Sequence, residues 1–152
     1  MSDLREGSPE KSSLLQQAKA RAEARRNRQV SVPLPDIGME LVCDVPTDLT
    51  AIERMREAAK RVDKGRAMAG HFSRALVANQ TREIRIDGEL LTIDGVPVAF
   101  RDIELQREIG VADAKSAVVD LIGSDGDISN VVQVLLEEAG FGDPEGMEAD
   151  PI

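Results

Sequence analysis

The apolar residues of this chain change their spacing along the sequence, and the change restricts the fold to a mixture of helices and short strands. Between residues 82 and 100 they alternate with polar residues, and Asp87-Gly88 and Asp94-Gly95 interrupt the alternation. Alternation is typical of half-buried strands, and an Asp-Gly pair between such segments indicates a hairpin turn. The segment therefore predicts a small β-meander, in which Pro97 places the last strand at an edge.

Helical spacing holds before and after this predicted meander. Apolar residues recur every three or four positions over 47–63 and again over 68–79, which predicts two amphipathic helices packed as a hairpin. Three further helices are expected over 103–109, 114–122 and 128–139, each followed by a glycine. The expected N-caps of these helices are Thr47 or Asp48, Asp102, Asp113 and Asp127.

The segment 30–46 is expected to be extended. Pro33, Pro35 and Pro46 forbid a helix there, and Val30, Val32 and Leu34 alternate with other residues. Two short strands joined by a turn at 35–38 are the simplest interpretation.

The fold class expected from these elements is α+β, mainly α: a small helical domain with a β-hairpin or meander. We expect a basic, partly helical arm at 1–29, one domain at 30–142 and an acidic disordered tail at 143–152. The chain has three Phe and neither Trp nor Tyr, so its core must be largely aliphatic.

The net charge of −9 is unevenly distributed. Residues 1–29 carry seven basic and four acidic groups, whereas residues 30–152 carry twelve and twenty-four. An acidic body repels a phosphate backbone, so only the arm could contact nucleic acid, and a solvated helical tail is the favoured interpretation. The arm's candidate contacts are Arg21, Arg25, Arg26 and Arg28.

No arrangement of residues in the sequence indicates catalysis, a cofactor or a metal. Cys43 and His71 are the only residues of their types, and Cys43 lies in an apolar run typical of a buried structural thiol. The acidic loop 124–127 lacks the spacing of a calcium-binding EF-hand. The sequence therefore predicts a protein that is not an enzyme. With no apolar run long enough for a membrane span and no signal peptide, the cytoplasm is expected.

The layout of the predicted elements resembles that of tail assembly chaperones of long-tailed bacteriophages that infect actinobacteria. The resemblance covers about residues 30–142 and rests on Pro46-Thr47-Asp48-Leu49-Thr50 before a helix, on Asp94-Gly95-Val96-Pro97-Val98-Ala99-Phe100, and on the segment 117–128 before the last helix. Such proteins often carry an aromatic residue, commonly Trp, late in that helix, whereas this chain has Glu138-Ala139 there and Phe141 beyond.

The resemblance implies a role in virion assembly in the host cell cytoplasm. These chaperones bind the long helical tape measure protein, keep it soluble and leave as the tail tube polymerises around it. The family commonly makes a short form, which this chain resembles, and a longer product by ribosomal frameshifting. Expected partners are therefore the tape measure protein, the tail tube protein, the longer form and further copies of the chain. The apolar pattern indicates no membrane partner, and the acidic body disfavours nucleic acid.

Client binding requires apolar surface surrounded by charge. The candidate side chains lie on the predicted helix hairpin, on one flank of the last helix and just beyond it: Met55, Met68, Phe72, Val131, Val134, Leu135 and Phe141. For each apolar side chain on these helices, ordinary packing in the core is the favoured alternative.

Two other functions stay open at the level of sequence. A structural virion component, such as a neck or tail-terminator subunit, has a similar small α+β pattern. A nucleic-acid-binding regulator would use the basic residues of 19–28, against the repulsion of the acidic body.

Overall fold

The computed structural model describes residues 9–63 and 70–140, so the predicted acidic tail lies outside the described residues. The fold is α+β and mainly helical, since 58% of the described residues are in helices. The helices within these ranges are α1 (Pro9–Arg26), α2 (Leu49–Asp63), α3 (His71–Gln80), α4 (Ile103–Ile109), α5 (Ala114–Ile122) and α6 (Asp125–Glu138). The helix α1 lies within the segment expected to form an arm. No helix in the described ranges is both long and apolar enough to cross a lipid bilayer.

The strands form two antiparallel sheets. The larger has the order β1-β2-β3-β4, with β1 (Gln29–Leu34), β2 (Met39–Asp44), β3 (Thr81–Ile86) and β4 (Glu89–Leu90). The smaller consists of β5 (Thr92–Ile93) and β6 (Val96–Pro97).

The predicted meander is wrong in one respect: its strands are divided between the two sheets, because β3 pairs with β4 and β5 pairs with β6. Its first strand, β3, pairs along most of its length with β2, where Ile84 lies opposite Leu41. This partner lies far away in the sequence, so the local alternation of residues could not reveal the pairing. Both Asp-Gly turns are present as predicted: Asp87 and Asp94 have φ of 51° and 52°, and the glycines that follow also have positive φ.

The strands β1 and β2 form the hairpin expected for 30–46. A 3-10 turn at Pro35–Ile37 joins them and ends at Gly38, whose φ of 64° is in the left-handed region. The strand β1 lies at the edge of the sheet, where the missing amide hydrogen of Pro33 is tolerated.

The core lies between one face of the larger sheet and the helices. The helix α3 packs against α2, α5 and α6, and its Leu76 and Val77 are fully buried. After β6 the chain turns inward, so that Phe100 is fully buried, whereas the sequence pattern had predicted it as the end of a strand. The rest of the core is almost entirely aliphatic, as the composition requires.

Two of the expected helix caps differ in the structure. Asp102 occupies the N-cap position of α4, as predicted, but its side chain accepts a hydrogen bond from the Ala99 amide at 2.7 Å rather than from an amide of α4. The cap of α6 is Ser124, whose hydroxyl accepts from the Asp127 amide, because the helix begins three residues earlier than predicted. Serine is as good an N-cap as aspartate, and an acidic residue at the third helical position interacts favourably with the helix dipole.

Candidate functional site

The structure buries three of the side chains that the sequence pattern indicated for partner binding. Val131 and Leu135 are inaccessible in the core, and Phe72 is 5% exposed. Met55 and Val134 are half-buried and pack against the same core. Met68 and Phe141 lie outside the described residues. The placement agrees with the alternative of ordinary core packing, because a client could reach Val131 or Leu135 only if α6 separated from the body.

Exposed aliphatic side chains occur elsewhere, around a recess between the β5–β6 hairpin and the start of α4. The recess has a volume of about 220 Å³. Val96, which lies on its wall, is 60% exposed, and Ile103, between two lining residues, is 63% exposed. We call this feature the acidic recess; its lining residues are Ile93, Asp94, Val96, Pro97, Val98, Asp102 and Glu104.

Local hydrogen bonds hold the shape of the acidic recess. The Asp102 carboxylate binds the Ala99 amide, and the Gln106 side-chain amide donates to the Phe100 carbonyl oxygen at 2.8 Å. The first bond closes a turn within the segment between β6 and α4, and the second ties that segment to α4. Because Val98 and Phe100 are buried in the core beneath it, the recess is preformed.

Charge distinguishes this recess from an ordinary surface depression. Asp94, Asp102 and Glu104 line it, and among the described residues that line it there is no lysine or arginine. The apolar wall and the carboxylate rim of the recess together suit a partner that offers an aliphatic side chain and a cation side by side.

The helix α1 presents the opposite combination. Every side chain from Ser13 to Arg26 is exposed, including Leu14 at 64% and Leu15 at 59%. Four basic residues and one acidic residue follow the leucines along the helix: Lys19, Arg21, Arg25 and Arg26, with Glu23.

The end of α1 is fixed to the body. The guanidinium of Arg28 forms an ion pair with the Glu138 carboxylate and donates to the Glu138 carbonyl oxygen at 3.0 Å. The Arg28 carbonyl oxygen in turn accepts from the Val45 amide at 2.9 Å. We call this arrangement the Arg28–Glu138 clasp; it joins the root of α1 to the end of α6.

The remaining titratable groups do not form a reactive cluster among the described residues. Cys43 is fully buried, as predicted, and desolvation raises the pKa of its thiol to about 11. A separate cavity of about 390 Å³ is lined by residues of α3 and α5. The carboxylate of Asp113 at its edge already accepts from the Ser116 amide, which lowers the pKa of Asp113. In the ranges 9–63 and 70–140, no three His, Cys, Asp or Glu side chains are placed to hold a metal ion.

Sequence reasoning missed Val96 and Ile103, although a signal for Ile103 was present. Leu105 and Ile109 are four residues apart and form the inward stripe of α4, whereas Ile103 lies two residues before Leu105 and therefore on the opposite face. Nothing comparable in the sequence separates Val96 from the buried Val98.

Comparisons with protein-family models, with curated proteins and with solved structures give no match to this chain. The fold and the surface thus define a small α+β protein with a preformed apolar surface that charged residues border. Any more particular function must be argued from that surface and from the layout of the elements.

Proposed function

We propose that this protein is a bacteriophage tail assembly chaperone, which binds the helical tape measure protein and keeps it soluble until the tail tube polymerises around it. The observation that carries the proposal is the set of aliphatic side chains that the fold leaves exposed beside charged groups: Leu14, Leu15, Val96 and Ile103. A protein that shields a client needs such surface before the client arrives.

The order of the elements supports the proposal. A Pro-containing β-hairpin, two packed helices, the Asp94-Gly95 turn and three further helices follow one another in the order on which the resemblance to these chaperones rests. The chaperone acts in the host cell cytoplasm, and its other partners are the tail tube protein and the longer frameshifted form of the chain.

The charge of the body supports the proposal in a second way. Residues 30–152 carry twelve more acidic than basic groups. Like charge opposes non-specific aggregation of such bodies, so that complexes with a large apolar client remain dispersed.

Co-expression with the tape measure protein tests the proposal. We expect the chain to raise the soluble fraction of the tape measure protein, and we expect a variant with Leu14→Ser, Leu15→Ser, Val96→Ser and Ile103→Ser to do so much less. Val119→Ser is the matched control, because Val119 is 38% exposed on another part of the surface. No gain in solubility with the wild-type chain, when both proteins are well expressed, contradicts the proposal.

Mass spectrometry of purified virions separates the chaperone from a structural component of the tail or neck. A chaperone that leaves during assembly is absent from the mature particle, whereas a neck or tail-terminator subunit is retained. Detection of the chain at a fixed number of copies per virion contradicts the proposal.

A further inference from the structure

We propose that α1 of one copy docks its exposed leucines into the acidic recess of a second copy, so that the chains associate head to tail. The inference does not depend on the proposed function, because both surfaces belong to this chain. The proposal is supported by the chemistry of α1, the size of the recess, the charges on both surfaces and their positions in the fold.

The two leucines of α1 lie beside its basic residues. Leu14 shares a face with Arg21 and Arg25, seven and eleven positions later, and Leu15 shares the adjacent face with Lys19 and Arg26. One side of the helix therefore presents aliphatic and cationic groups together. Glu23 lies on the other side.

The acidic recess has the size and lining that this side of α1 requires. An apolar cavity of about 150 Å³ holds a guest the size of benzene, so the recess has room for one leucine side chain. With Leu14 or Leu15 seated in the recess beside Val96, basic residues one or two turns along α1 lie about 5–10 Å further on, toward the carboxylates at its border.

Charge favours this occupant over an acidic one. Asp94, Asp102 and Glu104 attract the guanidinium and ammonium groups of α1, and they repel phosphates or an acidic helix. The four basic residues and one acidic residue that follow the leucines on α1 give that part of the helix a net charge of +3.

Within one copy the two surfaces do not meet, because Leu14, Val96 and Ile103 are each more than half exposed. The helix α1 joins the sheet at Gln29, at the start of edge strand β1, which lies level with Asp44 at the end of β2. The smaller sheet follows β4, which pairs with the far end of β3 at the opposite edge. With strands about 4.8 Å apart and about 3.3 Å per residue along each strand, the two corners are roughly 20 Å apart across the sheet.

Such an interface is heterologous, since it joins two different patches. Each copy offers both a helix and a recess, so association continues until a ring closes or a filament forms. The leucines of α1 are then buried in the assembly, and another partner can reach them only on a chain that has separated from its neighbours.

Sedimentation of the full-length chain tests the proposal. We expect the average mass of the wild type to rise above that of a monomer with increasing concentration, and to fall when salt screens the charges. The variant Leu14→Ser/Leu15→Ser and the variant Val96→Ser/Ile103→Ser should each be monomeric. A wild type that stays monomeric throughout, or variants that associate as it does, overturn the proposal.

A mixture of the two variants provides the sharpest test. The first variant retains an intact recess and the second an intact α1, so an equal mixture should form a species of two chains that grows no further. A chain with all four substitutions should form no such species with itself, and Val119→Ser should behave as the wild type. Failure of the mixture to associate contradicts the head-to-tail contact.

A charge exchange keeps the proposal testable if the serine variants do not fold. Lys19→Glu/Arg21→Glu and Asp94→Lys/Glu104→Lys should each weaken association by about tenfold or more, and a mixture of the two should recover it. Equal association of all four samples contradicts the assigned contact, and so does a mixture that stays as weak as its parts.

Discussion

The pKa of the Cys43 thiol reports how completely the core excludes water. The side chain is fully buried, and its sulfur lies 3.6 Å from the hydroxyl oxygen of Thr81, which itself donates to the Val77 carbonyl oxygen. Desolvation disfavours the thiolate and is the main reason that the pKa of Cys43 is raised to about 11 from the ordinary 9.0.

This raised pKa predicts a loss of stability in alkali. Below pH 9 both the folded and the unfolded chain keep the thiol proton, so the contribution of Cys43 to the free energy of unfolding is constant. Between about pH 9 and 11 the unfolded chain loses the proton first, and the free energy of unfolding should fall by about 2–3 kcal/mol. Urea unfolding followed by circular dichroism measures it. Cys43→Ala should lack this part of the decline, and an equal decline in that variant contradicts the assignment.

Two neighbouring residues of α6 should differ strongly in their effect on stability. Leu135 is inaccessible and Val134 is half-buried. We expect Leu135→Ala to lower the free energy of unfolding by about 3 kcal/mol, because it leaves a cavity, and Val134→Ala to lower it by about 1 kcal/mol. Urea unfolding of both variants is the measurement. Equal costs would show that Leu135 does not lie in a closed core.

At the scale of elements, the sequence predicted those features that depend on residues close to one another in the chain. The packing of α2 on α3, both Asp-Gly turns and the glycines after α4 and α5 follow from patterns within a few residues. The pairing of β3 with β2 does not, because it joins segments separated by two helices and includes an irregularity between Val42 and Cys43. The acidic recess was missed for the same reason, since the hairpin and α4 form it together.

The beginning of α6 provides a test at this scale. Ser124 caps the helix, whereas Asp127 lies in its first turn. We expect Ser124→Ala to lower the free energy of unfolding by about 1 kcal/mol and Asp127→Ala by less. Thermal unfolding of the two variants measures the difference, and a larger cost for Asp127→Ala would return the cap to the position predicted from sequence.

At the scale of the molecule, α1 and the body are two parts of different stability. The side chains of α1 from Ser13 onward are exposed, so the helix adds little buried surface, while the rest of the chain encloses a continuous core. Since Arg28 belongs to the clasp with Glu138, the boundary between the two parts lies just before it.

This division predicts a particular pattern of proteolysis. Trypsin under native conditions, at a concentration low enough to keep the chain monomeric, should cut first after Lys19, Arg21, Arg25 or Arg26, because a helix with few tertiary contacts opens readily. The remaining body should keep its free energy of unfolding within about 0.5 kcal/mol of the intact chain. Mass spectrometry of the fragments identifies the cuts. Equally early cleavage after Arg82 or Arg85, in β3, would contradict the division.

The packing of α6 against β1, closed by the Arg28–Glu138 clasp, also has a consequence for synthesis. The first strand and the last described helix are neighbours in space, although Arg28 and Glu138 are 110 residues apart in the sequence. A nascent chain on the ribosome cannot complete its core until α6 has emerged from the exit tunnel. Any polypeptide that follows Gly140 is therefore attached beside the C-terminal end of α1. It is also made only after the residues that complete the core.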